Sequence, residues 1–308
     1  MTRHDWRMVS DPSSGIDEDV VAEWLREELR AHTIRRIGPI PGSSTASVSS
    51  WEVQDWRGVA MAIVVKRYDR VVVGHEAVAL VRSEERGLLA AEQCALDAPR
   101  SVCADPEGAH TGAPSLAMTR MDGVAKAVGG REWILGLANA LGAIARVARP
   151  TIALPPMESW REPLDDCPTW LGDQGLWRAL QQRMAVALVG SAPQFVHRDF
   201  HPLNVLWDGG AVRGVVDWAN ACIGPIELDV SRCRVNIALT SGIDAADSFL
   251  GACSPFVNGY DRAWDLETIA SFLGNPDVVL AGNAYGAGMT SGGVRQVLRE
   301  MVSFALRA

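Results

Sequence analysis

His197-Arg198-Asp199-Phe200-His201-Pro202-Leu203-Asn204 carries more information about this chain than any other segment. It places a carboxylate, Asp199, five residues before an amide, Asn204, on one short polar segment. An aspartate in such a loop can accept the proton of an attacking hydroxyl, and the asparagine can hold a metal ion on nucleotide phosphates. The spacing therefore predicts a loop that serves phosphoryl transfer.

A second carboxylate, Asp217, lies near the end of the apolar run 213–218, thirteen residues after Asn204. The intervening Asp208-Gly209-Gly210 is a strong signal for a hairpin turn, which would fold this run back beside the motif. Asp199, Asn204 and Asp217 are therefore predicted to converge. Phosphoryl transfer needs an oriented hydroxyl and neutralised phosphate charge, and three oxygen-bearing side chains suffice for both tasks.

Two other interpretations of this segment stay open at this point. It could be a polar surface loop, although the second carboxylate at a strand end disfavours that interpretation. Alternatively, His197, Asp199 and His201 share one face if the segment is extended, and they could be the metal ligands of a hydrolase. The sequence has no nearby third His or Cys cluster to complete such a site.

The composition is that of an ordinary globular protein, with 48% hydrophobic and 21% charged residues, and 308 residues favour two lobes. The net charge of −8 argues against a nucleic-acid partner and fits a cationic small molecule better.

No apolar run reaches the length of a membrane span, and residues 1–10 lack a signal-peptide core. Six cysteines without metal-ligand spacing point to a reducing compartment. We expect a cytoplasmic protein.

The pattern of elements changes from sheet to helix along the chain. The N-terminal part predicts a leading helix, three strands, a second helix and a further strand, over residues 17–30, 34–40, 47–54, 59–67, 76–94 and 115–119. The C-terminal part predicts helices over residues 131–149, 170–189 and 227–240, with short strands around the motif. We expect an α+β fold with one lobe over residues 1–121 and a second over residues 122–308.

Lysine usage singles out Lys66, because Lys66 and Lys126 are the only lysines and arginine supplies the other 27 of the 29 basic residues. A compact ammonium on a flexible stem can reach between the α- and β-phosphates from a strand. Eighteen residues later, Glu84 lies in the predicted second helix, where it could pair with Lys66 and fix its position. Glu85 is an alternative partner, and a solvated lysine at a strand end is the alternative interpretation of Lys66.

The segment Gly42-Ser43-Ser44-Thr45 connects two predicted strands. Its backbone N–H groups and the hydroxyls of Ser43 and Ser44 could cradle phosphate oxygens. It matches neither the GxGxxG pattern nor the Walker pattern, so a plain hairpin loop is the alternative.

The segment 197–206, followed by Val216-Asp217-Trp218-Ala219, resembles the aminoglycoside phosphotransferase and choline kinase superfamily. The resemblance continues through Gly224-Pro225 to Asp229 and reaches back to residues 98–100 and 118–123, which resemble the pre-hinge loop and the hinge. It covers residues 34–239 and implies the fold of eukaryotic-like kinases. Such a fold has an N-terminal β-sheet lobe with a helix and a larger, helix-rich C-terminal lobe.

The resemblance also implies a role for each matching residue. Asp199 corresponds to the catalytic base or hydroxyl-orienting residue, Asn204 and Asp217 to the Mg²⁺ ligands, and Lys66 and Glu84 to the phosphate-positioning pair. Residues 115–121, with Met118 and Thr119 among them, would meet the adenine through main-chain groups, while His197, Arg198 and Asp229 would support the catalytic loop.

Some positions depart from the family pattern, which often has glycine where Arg198 and Leu203 stand. Asp217 is followed by Trp-Ala and not Phe-Gly, and no Ala-Pro-Glu element follows, which fits small-molecule kinases better than protein kinases. We therefore expect an ATP- or GTP-dependent O-phosphotransferase, acting as a monomer or homodimer on a hydroxyl of a small molecule. An antibiotic such as an aminoglycoside or macrolide is the expected acceptor.

Two further functions remain as alternatives: a metabolic kinase for choline, homoserine or a sugar, and a nucleotide-binding protein without catalysis. Acids of the C-terminal half could receive the amines of a cationic acceptor, or they could be ordinary solvated helix acids. These acids are Asp244, Asp247, Asp261, Asp265 and Glu267.

Overall fold

The computed structural model describes residues 18–43, 45–69, 75–158, 167, 171–187, 192–270 and 291–307. Within these ranges the N-terminal part contains two helices and five strands. These are α1 (Glu18–Leu29), β1 (Ala31–Pro39), β2 (Ser47–Asp55), β3 (Ala60–Arg67), α2 (His75–Ala91), β4 (Ser101–Asp105) and β5 (Ser115–Thr119).

The five strands form one antiparallel sheet in the order β1-β2-β3-β5-β4. Side chains alternate between the two faces of a strand, so neighbours along β3 belong to different layers. Ile63 and Val65 pack in the cluster formed with α1, whereas Val64 packs in the cluster that contains residues of α2. The same alternation turns Lys66 toward α2, which explains how a charged residue in a central strand finds a partner.

The C-terminal part is mainly helical. Its elements are β6 (Val124–Ala125), α3 (Arg131–Ala145), α4 (Gln174–Ala187), β7 (Gln194–Val196), a 3₁₀ turn (Pro202–Asn204), β8 (Val205–Asp208), β9 (Ala211–Val215), β10 (Cys222–Gly224), α5 (Glu227–Ser241), α6 (Ile243–Ala252), α7 (Ala263–Ala270) and α8 (Ser291–Arg307). Strands β6, β8 and β9 form one small sheet, and β7 pairs with β10. None of the helices in the described ranges is long and apolar enough to cross a membrane.

Buried apolar residues join the two parts. The larger cluster contains Val81 and Leu88 of α2 together with Leu137 of α3 and Val235 of α5. Helix α2 therefore packs both under its own sheet and against the helical part. Burial of apolar side chains is the main favourable term in folding. Here it also fixes the position of α2 relative to α3 and α5.

The structure confirms the α+β fold, with a β-sheet part followed by a helical part. Gly209 and Gly210 form the predicted turn between β8 and β9, both with positive φ (55° and 91°), as a tight hairpin requires. Strand β5 ends at Thr119, and the next strand, β6, pairs with β8 of the helical part. The division of the chain at residues 121 and 122 stays a prediction.

Candidate active site

The segment 197–204, which we call the catalytic loop, lies between β7 and β8. Its C-terminal half closes into a 3₁₀ turn that begins with Pro202. His201 caps this turn, since its Nδ1 accepts a hydrogen bond from the N–H of Leu203 at 3.3 Å. Hydrogen bonds within the loop itself therefore stabilise this turn.

The His197 ring ties the catalytic loop to the segment that follows β9. Its Nε2 lies 3.0 Å from the carbonyl oxygen of Val216, and its Nδ1 accepts from the N–H of Asp199 at 3.2 Å. A carbonyl can only accept and a backbone N–H can only donate, so the ring is the Nε2–H tautomer. Both ring nitrogens are occupied. The interpretation of His197 as the metal ligand of a hydrolase is therefore wrong.

Asp229, on the first turn of α5, holds the start of the loop. Its Oδ2 accepts from the N–H of His197 at 2.7 Å, and the backbone of Arg198 also bonds to this carboxylate. The residue is fully buried, and burial raises its pKa despite these hydrogen bonds. Asp229 therefore supports the loop from inside the protein.

Arg198 adopts a left-handed backbone with φ +70°, which is the conformation that favours glycine and explains the glycine common at this position in the family. Its side chain is buried, with Nη2 at 3.6 Å from Glu267 Oε1 and 3.3 Å from the carbonyl oxygen of Glu158. Burial lowers the pKa of Arg198. The buried side chain of Arg198 thus links the catalytic loop to α7.

Asp199 projects from the middle of the loop and is bound by Arg232 of α5. The Nε of Arg232 donates to Asp199 Oδ1 at 2.8 Å, and His201 Nε2 lies 3.8 Å from the same oxygen. Burial alone would raise the pKa of Asp199, but Arg232, together with His201 and His197, outweighs burial and holds this pKa well below its usual range. Burial lowers the pKa of His201 to about 4. Asp199 is therefore an ionised carboxylate beside one permanent cation.

Asn204 and Asp217 lie on neighbouring strand ends. The Nδ2 of Asn204 donates to the carbonyl oxygen of Asp199 at 3.0 Å, which leaves the amide oxygen as its acceptor atom. The N–H of Val216 donates to the carbonyl oxygen of Asn204 at 2.9 Å, so Asp217 follows directly after this link. Asp217 has φ +69°, and 39% of its side chain is exposed. The carboxylate of Asp217 is therefore partly accessible to solvent.

Lys66 connects the N-terminal sheet to this turn. Its Nζ lies 3.0 Å from Glu84 Oε1 and 2.7 Å from Asp217 Oδ1, and the lysine is only 6% exposed. Burial alone would lower the pKa of Lys66, but the two carboxylates raise it well above its usual value. Tyr68 donates to the second oxygen of Glu84, whose pKa burial raises. The Lys66 ammonium is therefore held between Glu84 of the N-terminal part and Asp217 of the C-terminal part.

Residues from both parts of the chain thus meet at one place. The contacts described above connect Lys66 and Glu84 with residues more than 100 positions later in the sequence, namely Asp199, Asn204 and Asp217. Glu85, the alternative partner of Lys66, instead faces Ser101, whose hydroxyl lies 3.5 Å from its Oε1.

The profile of the phosphotransferase enzyme family (APH) matches residues 40–266, which is most of the chain. This protein belongs to that family. The superfamily predicted from the sequence is therefore confirmed, as is the prediction that the chain is a phosphotransferase. No curated protein sequence matches this one at a significant level.

Solved structures with the same fold include several phosphotransferases. Macrolide 2'-phosphotransferase MphH from Brachybacterium faecium is 14% identical, with a TM-score of 0.53 over 88% of this chain and 99% of that chain. A thermostable mutant of aminoglycoside phosphotransferase APH(4)-Ia, in ternary complex with ADP and hygromycin B, is 14% identical with a TM-score of 0.56 over 91% and 98%. Choline kinase LicA from Streptococcus pneumoniae is 12% identical with a TM-score of 0.56 over 94% and 98%. At these identities the likeness shows the fold alone.

Two residues of this phosphotransferase site were missed by the sequence analysis. Tyr68 follows two residues after Lys66, so it lies close to the same helix partner, Glu84. Arg232 comes three residues after Asp229, a spacing that places two helical side chains on one face. Both signals were present in the sequence, but neither indicates which acid the side chain would meet.

Of the residues predicted to bind nucleotide in this phosphotransferase, Ser44 lies outside the described part of the chain. The hydroxyl of Ser43 accepts from the N–H of Ala46 at 3.2 Å. Strand β2 begins at Ser47, which pairs with Arg67, so this end of β2 lies beside Lys66. Phosphate binding by Ser43 stays a prediction.

Met118 and Thr119 belong to β5, which lies between β3 and β4 in the sheet. The N–H of Thr119 donates to the carbonyl oxygen of Arg100 at 2.9 Å, and its hydroxyl accepts from the N–H of Arg100 at 2.9 Å. The N–H of Thr119 is therefore already used within the sheet. The adenine contact of Met118 and Thr119 stays a prediction.

The acids of the C-terminal half are mostly paired with arginines. Arg234 pairs with Asp247 and Asp265, and burial raises the pKa of Asp265 to about 6 even beside this arginine. The remaining three pairs are Arg262 with Asp247 at 3.0 Å, Arg183 with Asp261 at 2.8 Å and Arg198 with Glu267 at 3.6 Å. Asp265 and Glu267 are only 1% and 3% exposed. Both expectations for these two acids, amine binding and simple solvation, are therefore wrong, because they are buried ion-pair partners. Asp244 alone among the five is exposed.

Gly87, one turn after Glu84, lets α2 approach the segment that follows Asp217. A Cβ atom built on Gly87 would lie 2.3 Å from the carbonyl oxygen of Trp218, which no side chain can tolerate. We expect Gly87→Ala to push α2 away, lengthen the Lys66–Glu84 contact and reduce turnover by about 100-fold, since misplaced reacting groups cost roughly that much. Steady-state ADP release measures the effect.

Gly251 is the matched control for Gly87→Ala, because it is a helical glycine whose added Cβ meets nothing within 4 Å. Gly251→Ala should leave turnover unchanged and slightly raise the melting temperature, since alanine favours a helix by up to about 1 kcal/mol over glycine. Equal turnover in the two variants would show that the close approach of α2 is unimportant.

Proposed function

We propose that this phosphotransferase transfers the γ-phosphoryl group of ATP or GTP to a hydroxyl of a small molecule. The observation that carries the proposal is the 2.7 Å contact between Lys66 Nζ and Asp217 Oδ1, beside the catalytic loop. It joins the ammonium that would bind the phosphates to the carboxylate that would bind the metal, and the Asn204 hydrogen bonds connect the segment before Asp217 to the loop of Asp199. Catalysis of phosphoryl transfer is almost entirely positioning and charge stabilisation, which is what such an arrangement supplies.

Mg²⁺ is the metal that the family implies, and the donor atoms fit it. The hydrogen bond that Asn204 Nδ2 donates fixes the orientation of the Asn204 amide oxygen. Asp217 offers a carboxylate on a side chain that is 39% exposed. Mg²⁺ prefers hard oxygen ligands and is usually held by one or two side chains together with substrate phosphates. No cluster of three His, Cys, Asp or Glu residues within the described ranges could hold a metal by itself. When bound, Mg²⁺ would neutralise charge on the β- and γ-phosphates.

Asp199 orients the acceptor hydroxyl and takes its proton in this proposal. Its carboxylate is ionised, because Arg232, His201 and His197 together outweigh burial and hold its pKa well below the usual range. The hydroxyl oxygen then attacks the γ-phosphorus as the bond to the β-phosphate oxygen breaks, and ADP or GDP leaves. Lys66, held by Glu84, binds the phosphates of the donor.

A small acceptor is favoured over a protein, because only seven residues separate Asp217 from Pro225 and leave no room for a peptide-binding activation segment. We propose an antibiotic as the acceptor. The pairing of the helix acids with arginines favours an acceptor with few positive charges, which describes a macrolide better than an aminoglycoside. A role in antibiotic resistance follows from this proposal. The cytoplasmic location and the monomeric or dimeric state stay predictions.

The test is a phosphorylation assay with the purified protein, Mg²⁺ and either ATP or GTP. The acceptor panel contains macrolides, aminoglycosides, choline, homoserine and sugars, with ADP or GDP release and a mass gain of one phosphoryl group as readouts. We expect turnover with a macrolide and loss of it when EDTA removes the metal. Turnover with choline, homoserine or a sugar alone would favour the metabolic kinase. Nucleotide binding without any phosphorylated product would favour the non-catalytic alternative.

A further inference from the structure

We infer that Arg232 is a positioning residue for phosphoryl transfer. From α5 it holds one oxygen of the Asp199 carboxylate, so that the other oxygen is presented to the acceptor hydroxyl. The inference rests on the proposed function, in which Asp199 meets that hydroxyl. The family resemblance assigned no role to Arg232.

The contact between the two side chains is direct and largely shielded from water. Arg232 Nε lies 2.8 Å from Asp199 Oδ1, and the side chains are only 15% and 16% exposed. Charge-assisted hydrogen bonds of this kind are about twice as strong as neutral ones. His201 lies 3.8 Å from the same oxygen, which is beyond hydrogen-bond distance. Arg232 is therefore the side chain that sets the orientation of this carboxylate.

One face of α5 contacts three successive residues of the catalytic loop. Asp229 accepts the backbone N–H of His197 at 2.7 Å and also bonds to the backbone of Arg198. Arg232, one helical turn later, binds the side chain of the next residue, Asp199. A single rigid element thus fixes the position of the loop backbone and the direction of its carboxylate together.

Helix α5 is itself held firmly, so Arg232 starts from a fixed backbone. The hydroxyl of Ser231 donates to the carbonyl oxygen of Trp264 at 2.8 Å, and Arg234 pairs with the buried Asp265. The side chain of Asn236 donates to the carbonyl oxygen of Arg232 at 2.6 Å. Sites built on rigid elements hold a reacting group more precisely than sites on loops alone.

The orientation matters because the terminal torsion of an aspartate is broad and roughly two-fold. Without Arg232 the Asp199 carboxylate could rotate, and the oxygen facing the hydroxyl would be poorly defined. Reactions of this type need near-attack geometry, and a displacement of 1 Å can reduce the rate by about 100-fold. A positioning role therefore predicts an effect on turnover and little effect on nucleotide binding.

The test compares Arg232→Ala, Arg232→Lys and the matched control Arg183→Ala. Arg183 pairs with Asp261 at 2.8 Å in the same part of the chain, with side chains 26% and 35% exposed, and neither residue is proposed to bind nucleotide or metal or to contact Asp199. ADP release from MgATP is measured with water as the acceptor and with any acceptor that the panel identifies. We expect Arg232→Ala to lower kcat by about 100-fold with an unchanged KM for MgATP. Arg232→Lys should recover part of this loss, and Arg183→Ala should match the wild type.

Two further measurements separate positioning from a merely structural role. Added methylguanidine should partly restore turnover in Arg232→Ala, because it can occupy the place of the missing guanidinium. In an Asp199→Asn background, Arg232→Ala should cost nothing further, since residues that act as one unit are not additive.

Several results would overturn the inference. A kcat for Arg232→Ala within about twofold of the wild type, while Asp199→Asn is inactive, would show that Arg232 does not position Asp199. If Arg232→Ala lowers kcat equally in the wild type and in the Asp199→Asn background, and methylguanidine does not restore turnover, Arg232 has a structural role only. A wild-type protein that releases no ADP with water or any acceptor would instead contradict the proposed function, on which the inference depends.

Discussion

Asp199→Asn is expected to lower turnover by about 10²- to 10⁴-fold, the range that a positioned acid or base contributes to catalysis. The asparagine keeps the shape of the side chain but cannot accept the proton of the acceptor hydroxyl. It also removes the negative partner of Arg232, whose Nε lies 2.8 Å from Asp199 Oδ1. Initial rates of ADP release with MgATP and the acceptor from the panel measure the effect.

Nucleotide binding is the control for Asp199→Asn. In the proposed mechanism Asp199 faces the acceptor, while Lys66 and the two metal-binding residues face the donor. The dissociation constant for MgADP, measured by calorimetry, should therefore stay close to the wild-type value. A variant that binds MgADP normally and keeps more than about a tenth of the turnover would show that Asp199 is not the base.

Lys66→Met should reduce both activity and stability. Glu84 is 1% exposed and would keep only the hydroxyl of Tyr68 as a partner, and breaking a buried ion pair on one side costs about 3–5 kcal/mol. Loss of the ammonium should also lower turnover by about 10²- to 10³-fold, because a preorganised charge on the phosphates disappears. Urea unfolding and steady-state kinetics measure the two effects separately.

The double variant Lys66→Met with Glu84→Gln separates stability from catalysis. Replacing both members of the buried pair removes the uncompensated charge, so most of the lost stability should return. Turnover should stay low, because no cation remains at the phosphates. Recovery of turnover together with stability would mean that Lys66 has only a structural role.

The sequence predicted two of the observed contacts where local rules and chemistry agreed, while the roles of these residues stay predictions. The strand that carries Lys66 alternates between two buried layers, so its lysine had to point toward α2 and could reach Glu84. The Gly209–Gly210 turn folds β9 beside β8, which brings Asp217 close to Asn204. These outcomes follow from periodicity and turn chemistry over short distances, and both can be recognised in the sequence.

Contacts between distant side chains could not be predicted in the same way. The sequence left open whether the helix acids bind amines or are solvated, because sequence does not show which acids are already neutralised. Asp265 and Glu267 prove to be buried beside Arg234 and Arg198, whose positions depend on how α5 and α7 pack. For the same reason Arg232 was missed, although its spacing from Asp229 placed it on the correct face of the helix.

Electron paramagnetic resonance of Mn²⁺, in place of Mg²⁺, tests the central claim that Asn204 and Asp217 hold a metal–nucleotide complex beside Asp199. The protein is titrated with Mn²⁺ in the presence of a non-hydrolysable ATP analogue, as the wild type and as Asp217→Asn. We predict a bound Mn²⁺ signal for the wild type that needs the nucleotide, and an affinity lower by more than about tenfold in the variant. Equal Mn²⁺ binding by the two proteins would contradict this claim.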